Sequence, residues 1–477
     1  MPTNSLTLPS RRRFLQQAGL GCGSLALTWL LHREGLLAAP SPLAAKEPHF
    51  PAKIKSVIWL FMTGGPAQMD TFDYKPELQK RDGEPLAGAD TLTGFFGTSG
   101  KCLKSPFQWK QHGETGAWVS DLFPETVQHV DDLAFIHSCY STANNHAPAS
   151  MELMCGMAKP GYPSLGAWLT YGLGSMNQSL PAFVVMHGVK PRGEDGIWSP
   201  GFLPKDVQPL LLDARQGEAI ANLARSQGLT DLHQKAQLDL LKQLNQEHQK
   251  KHLLDTDLPA RIQSFELAYR MQTAAPEALD IKNETDVTQK LYGVDRKECA
   301  TFARQCLIAR RMVERGVRFV QIFGGQTPGN DGSAADVPWD GHNDIDINHR
   351  SCALSTDRPV AGLLTDLKKR GLLDKTLVIW SGEFGRTSDS QGTKGRDHNP
   401  HAFTMWLAGG GVKKGVHHGK TDEFGYKAIE NRVGVNDLHA TILHLLGLDH
   451  TKLTYRHKGR DFRLTDVSGN VVKEILA

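Results

Sequence analysis

The feature that most constrains this chain is a set of short, almost wholly apolar runs, each stopped by a glycine-rich or polar cluster. Residues 57–62 (VIWLFM) end at Thr63-Gly64-Gly65-Pro66, and residues 376–380 (TLVIW) end at Ser381-Gly382-Glu383-Phe384-Gly385. Residues 133–136 and 182–186 repeat the pattern, and 403–408 run into Gly409-Gly410-Gly411. A run this short and this apolar has no solvated face, which is the mark of a strand in a parallel sheet covered on both sides. Between such runs lie stretches of helical period. Residues 299–315 predict a helix with Gly316 as its stop, feeding a strand over 317–323. Thr356-Asp357 predict the cap of a helix over 358–370 stopped by Gly371, and 437–446 (DLHATILHLL) predict a helix with Asp437 at its start. From about 206 to 316 the composition turns to Leu, Gln, Lys, Glu and Ala, with amphipathic helices expected over 231–250 and 260–273. The expected fold class is α/β: a mostly parallel sheet flanked by helices, with a mostly helical insertion over 206–316.

The first 45 residues read as an address rather than as part of that fold. Ser10-Arg11-Arg12-Arg13-Phe14-Leu15-Gln16 precede an apolar run over 18–31. A basic segment followed by a short apolar one is a secretory signal, and the paired arginines ahead of Phe-Leu resemble a twin-arginine signal. The run is shorter than the roughly 20 residues a spanning helix needs; an uncleaved amphipathic anchor is the alternative. Ala38-Ala39 and Ala44-Ala45 both offer small residues for cleavage. Export by the twin-arginine machinery to the periplasm or cell exterior is expected, and residues 46–477 form the domain. No second long apolar run follows, so no stable transmembrane span is expected in the mature form. A net charge of +3 with no basic stripe gives no reason to expect a nucleic-acid partner. The six cysteines beyond the signal stand singly, and Cys299 and Cys306 would sit about 10 Å apart along one helix, too far to bridge. No disulfide framework is expected.

In open parallel sheets ligands gather at the carboxyl ends of the strands, so the loops there hold the candidate chemistry. Trp339-Asp340-Gly341-His342 offers a carboxylate and an imidazole, Arg396-Asp397-His398 another such pair, Asn144-Asn145-His146 a further imidazole, and Glu383 stands between two glycines. Mixed carboxylate and imidazole donors suit Zn, Mn or Fe. Each motif taken singly fits a cap or a core hydrogen bond equally well. Gly64 and Gly65 can expose backbone N–H groups to an anion or simply permit a tight turn. Asp70 and Asp73 are ligand or turn candidates. Arg386 could grip a phosphate or sulfate by its fork, or pair with Glu383. His417, His418, His439, His444 and His450 read as surface or core residues.

The motifs in order — GGPAQMDTFD, NHAPA, GYPSLGAWLTYGLG, ARRMVERGVRF, WDGH, LVIWSGEFGRT, GRDHNP, AGGGVKKG, TDEFGY and DLHATILHLLGL — resemble the DUF1501 family of exported bacterial proteins across nearly all of the mature chain. That family looks like a branch of the alkaline phosphatase and sulfatase superfamily, which implies an alkaline-phosphatase-like sandwich. By the resemblance Glu383 falls where those enzymes carry a metal-binding Asp, and Phe384 where they carry a metal-binding His. His398 matches a later metal-binding His, and Asp340 and His342 an Asp–His pair. Residues 148–156 resemble the segment after the sulfatase nucleophile, which puts His146 at the nucleophile position and makes it nucleophile, base or ligand. The carboxylate that ends the first strand is replaced by Met62 or Thr63, with Asp70 a substitute from the next loop. The resemblance therefore implies one divalent metal site (Zn, Mn, Fe or Ca) rather than two, held by Asp340, His342 and His398, with Glu383 a further ligand or a catalytic base. It argues against formylglycine sulfatase chemistry, since no Cys or Ser stands at 146. The implied function is an exported metal-dependent hydrolase of phosphate or sulfate esters acting on polysaccharides. The alternatives are a non-catalytic surface protein binding an anionic glycan or a partner protein, and lyase or isomerase chemistry at a single metal.

Overall fold

The apolar runs become neighbours in one sheet. A computed structural model describes residues 43–86, 100–188, 191, 193–213, 220, 228–251, 257–324 and 338–477. The expected signal segment therefore lies almost wholly outside the described residues. The strands are β1 (Ser56–Met62), β2 (Leu133–Tyr140), β3 (Phe183–His187), β4 (Leu210–Asp213), β5 (Phe319–Gly324), β6 (Thr376–Ser381), β7 (Phe403–Gly409), β8 (His417–His418) and β9 (Val433–Gly434). They pair in the order β8-β2-β7-β6-β1-β5-β3-β4, with β9 also on β2. β1 lies parallel to both β5 and β6, Trp59 facing Gln321 on one side and Ile379 on the other. β7 is the antiparallel member, between β6 and β2.

The lack of a polar face in β1 follows from its packing. Ile58, Leu60 and Met62 enter the core on one side of the sheet; Val57, Trp59 and Phe61 enter the core on the other. Helices α5 (Ala300–Glu314) and α6 (Ile345–Lys369) cover the first side. Helices α1 (His146–Cys155), α2 (Leu165–Leu173) and α7 (Val435–Leu445) cover the second. Helices α3 (Asp231–Lys251) and α4 (Asp257–Leu279) form the long pair within 206–316. That segment is not helical throughout: β4 extends the sheet from β3, and α5 packs Cys306, Leu307 and Met312 into the core. Residues 45–477 make one compact unit. No helix among the described residues is long and apolar enough to cross a membrane. The six described cysteines are buried, and no disulfide joins them.

The expected helix over 358–370 is corrected. It begins at Ile345, where the Asp344 carboxylate accepts the Asp346 and Ile347 N–H groups at 3.1 and 3.2 Å, and it runs on through Pro359. Asp357 does cap a helix, but a different one. From within α6 it accepts the N–H groups of Glu125 and Thr126 at 2.7 and 2.8 Å, at the start of the 3-10 turn Thr126–Asp132. A capping residue type marks an acceptor of N–H groups without naming whose they are. Similarly α7 begins at Val435, and Asp437 sits inside its first turn with its carboxylate on the Gly434 N–H at 3.0 Å.

Candidate metal centre

The site forms where the ends of β1, β2 and β6 meet, in agreement with the rule for parallel sheets. His146 is the first residue of α1, set there because the Asn145 side chain accepts the Ala147 N–H and stops the helix running backwards. Asp340 follows the fully buried Trp339, whose N–H is tied to the Thr63 carbonyl at 2.8 Å, just past β1. That approach depends on Gly64. At φ +110 a Cβ there would stand 2.7 Å from the backbone nitrogens of both Trp339 and Asp340. His342 lies two residues on. His398 belongs to a two-stranded ribbon in which His398 faces Arg386 and Asn399 faces Gly385.

Each of the three imidazoles gives its Nδ1–H to an acceptor behind it. His146 donates to Glu383 Oε1 at 2.6 Å, His398 to the Asn144 carbonyl at 2.7 Å, and His342 to Gln391 Oε1. With Nδ1 carrying the proton, each Nε2 turns a lone pair forward. The three Nε2 atoms and the Asp340 carboxylate converge, so that one donor atom from each residue lies within 4.8 Å of every other. His146 Nε2 is 3.1 Å from Asp340 Oδ2, His342 Nε2 is 2.8 Å from Oδ1, and His398 Nε2 is 3.3 Å from Oδ1. The Nε2 atoms of His342 and His398 face each other at 2.9 Å. His146 Nε2, although buried and beside Asp340, makes no hydrogen bond of acceptable geometry. Arg386 reaches this group from one side, with Nη2 on Asp340 Oδ1 and Nη1 3.4 Å from His342 Nε2. Three forward imidazole nitrogens and a carboxylate oxygen are the donor types that hold a divalent transition metal, so the set fits one. Every ring is held by an outer acceptor, as metal-bound histidines generally are. The Phe384 ring, centred 5.0 Å from that of His146 and 4.5 Å from that of His398, walls the centre on one side. The His342 side chain is 19% exposed against 11% or less for the other three, so the centre opens at His342.

The charges reinforce one another. Burial alone would raise the Asp340 carboxyl, but the Arg386 guanidinium and the close approach of the three imidazoles outweigh it and hold it far below the usual carboxylate range. Burial pushes His398 down to about 3, which keeps its lone pair available. His146 is also disfavoured as a cation by burial, yet contacts with Asp340 and Glu383 outweigh that and raise it.

Several residues expected at the centre stand elsewhere. Glu383 is fully buried one layer behind it, on His146 Nδ1 and on the Gly64 N–H at 3.0 and 3.1 Å, rather than among the converging donors. The Gly64 N–H is thereby satisfied by an internal carboxylate and is not open to a bound anion. The Gly65 carbonyl, like that of Gly64, accepts from Arg386. Arg386 is itself fully buried and spent within the protein. It donates to those carbonyls and to that of Arg396, and it pairs with Asp340 Oδ1 at 2.6 Å rather than with Glu383. Asp70 does not replace the missing first-strand carboxylate. Both its oxygens take the Arg396 guanidinium, at 2.7 and 3.3 Å, with both side chains fully buried. Asp73 accepts from the Thr421 hydroxyl and pairs with Lys75. Asp397 Oδ1 accepts the His398 N–H at 2.8 Å and lies 4.0 Å from His342 Nδ1, flanking the centre. Gln391 and the Asn144 carbonyl were not foreseen. An amide in SQGTKG and a backbone oxygen carry no ligand pattern that a sequence could reveal.

Fold and cluster together define the class: an α/β protein with three imidazoles and one carboxylate gathered at the carboxyl edge of a mostly parallel sheet. Residues 54–476 match the family described as "Protein of unknown function (DUF1501)", and the chain belongs to that family. No curated protein matches it in sequence. Among solved structures it is similar to the lipoteichoic acid synthase LtaP from Listeria monocytogenes, at 10% identity and TM-score 0.36 over 88% of this chain and 78% of that one. It is also similar to a protein in the alkaline phosphatase superfamily from Vibrio parahaemolyticus (10%, 0.37, 86% and 70%). A third likeness is to the PsFucS1 sulfatase from Pseudoalteromonas sp. (12%, 0.36, 83% and 68%).

Proposed function

We propose that this protein is an exported hydrolase of phosphate or sulfate esters that works with one divalent metal held by His146, Asp340, His342 and His398. The observation that carries the reading is the common aim of three Nε2 lone pairs and one carboxylate, each imidazole backed by its own acceptor. Three nitrogens and one oxygen favour Zn, Mn or Fe and weigh against Ca, which takes oxygen ligands. A single ion is favoured over two because the Arg386 cation already lies against Asp340 Oδ1. When bound, the metal supplies Lewis acidity and a lowered pKa for a water it holds.

The chain's own groups then divide the work. Glu383 fixes the ring of His146 and raises its basicity, and both nitrogens of that ring are committed, so His146 serves as ligand rather than nucleophile. His146 opens α1, so the positive dipole end of that helix lies at the centre and favours an anionic substrate. The resemblance of the motifs to sulfatases and phosphatases favours esters of sulfate or phosphate, carried on polysaccharide. Export rests on Arg11-Arg12-Arg13-Phe14-Leu15, and residues 1–45 fused to a reporter should direct it through the twin-arginine route.

Elemental analysis of the purified protein should find a transition metal near one per chain, with turnover of aryl phosphate or aryl sulfate that a chelator abolishes. Protein without bound metal and without turnover would refute the reading. Metal without turnover would leave a protein that binds anionic glycans.

A further inference from the structure

The loop that ends in His146 has a second polar environment at its start. Tyr140 closes β2, and Thr142 follows it. Glu152, on α1, accepts the Thr142 N–H at 3.0 Å and its hydroxyl at 2.7 Å. These residues, the first turn of α7 and the segment 463–470 enclose a cavity of about 600 Å³, within the size range of small-ligand sites. At 1.5 Å rise per residue, Glu152 lies about 9 Å along α1 from His146. The cavity is therefore a neighbour of the metal centre on the same edge of the sheet.

Its lining has a definite chemical bias. Both carboxylates in the wall are satisfied from within: Glu152 by Thr142, and Asp437 by the N–H groups of Gly434 at 3.0 Å and Asn470 at 2.7 Å. The guanidinium and the imidazole in the wall are not. Arg463 spends Nε on the Asp466 carbonyl, and its two terminal nitrogens have no partner among the described residues. His450 spends Nδ1 on the Thr465 hydroxyl at 2.9 Å, which leaves its Nε2 side for another group. Ser468 and Thr451 line the wall too; their hydroxyls donate to the Thr465 carbonyl and to Asp449, which leaves their oxygens as acceptors. Tyr140 lines the cavity, with one face of its ring covered by the Arg432 guanidinium at 4.1 Å. A planar two-pronged donor recognises a carboxylate or sulfate. Short hydroxyls beside an aromatic ring suit the alternating polar edges and apolar faces of a sugar.

We propose that this cavity is a subsite for one acidic sugar residue of a glycan, a residue bearing a carboxylate or sulfate gripped by Arg463, next to the residue whose ester reaches the metal. The proposal rests on the hydrolase reading above for its placement, but its binding test does not require turnover. In calorimetric titrations, hexagalacturonate or a chondroitin sulfate hexasaccharide should bind, and neutral maltohexaose should bind at least about tenfold more weakly. Arg463→Gln should weaken the acidic ligand about tenfold, the scale of a lost charge-assisted pair, and Arg463→Lys should recover part of it. Ser468→Trp, which fills the cavity from its rim, should abolish binding, with circular dichroism and metal content reporting an intact fold. Failure of both acidic probes to bind, equal binding of the neutral one, or indifference to both Arg463→Gln and Ser468→Trp overturns the subsite. Acidic binding that depends on Arg463, in a protein that turns over no ester, supports the subsite and refutes the hydrolase alone.

Discussion

Replacing Glu383 with glutamine separates an outer carboxylate from a metal ligand. In the structure one carboxylate does two things. Its Oε1 takes the His146 Nδ1–H at 2.6 Å, and its two oxygens take the Gly64 N–H at 3.0 and 3.1 Å. Glutamine keeps one acceptor oxygen and turns an NH2 group toward whichever donor loses it. Either the His146 ring is released or the turn after β1, against which Trp339 and Asp340 pack, meets a donor facing a donor. The ring also loses the negative charge that made it a better ligand. Changes at such outer partners reduce metal affinity about 10–100-fold, or about 1.4 to 2.7 kcal/mol. The assay is zinc titration of metal-stripped protein against a competing chromophoric chelator, with His146→Ala as the comparison that removes a donor outright. Glu383→Gln should fall between wild type and His146→Ala. Affinity within twofold of wild type would refute the bracing role, and a loss as large as that of His146→Ala would make Glu383 a direct ligand.

Other expectations follow from the same contacts. Asp70→Asn leaves the fully buried Arg396 guanidinium without its carboxylate, and denaturant titration should show a loss of about 3–5 kcal/mol with metal content unchanged; loss of metal instead would return Asp70 to the centre. Gly64→Ala forces a side chain into a positive-φ position 2.7 Å from the Trp339 and Asp340 nitrogens, so both stability, by about 1–3 kcal/mol or more, and metal affinity should fall; an unchanged metal affinity would show that the approach of Asp340 does not depend on this glycine. Burial depresses His439 and His137 from 6.5 to about 4. Below pH 6.5 the unfolded chain binds protons at these positions that the folded chain refuses until about pH 4. Their contribution is thus complete above pH 6.5 and is lost as pH falls, by about 3 kcal/mol each. Urea midpoints that stay level from pH 7 to 4 would contradict this.

Much of this protein was legible in its sequence because burial on both faces of a sheet leaves a local trace. The runs at 57–62, 133–136, 182–186, 376–380 and 403–408 all became strands, and the four donors come after the second of these (His146), after the strand Phe319–Gly324 (Asp340 and His342) and after the fourth (His398). Residue chemistry also selected His146, Asp340, His342 and His398 as candidates. What the sequence could not decide was which carboxylate meets which imidazole. Asp340 and Glu383 were both read as ligands, with Asp70 and Asp397 as further candidates, and among the described residues only Asp340 joins the three imidazoles. Glu383 lies behind His146 across 237 positions of chain, and Asp70 lies on Arg396 across 326. Periodicity reports how one element faces its surroundings, with a reach of a few residues. The choice among those carboxylates depends on how the ends of β1, β2 and β6 and the ribbon at His398 are brought together. Sheet register, a glycine that lets Trp339 approach β1, and the burial of two arginines that each demand an acid settle it. Those are properties of the packed chain.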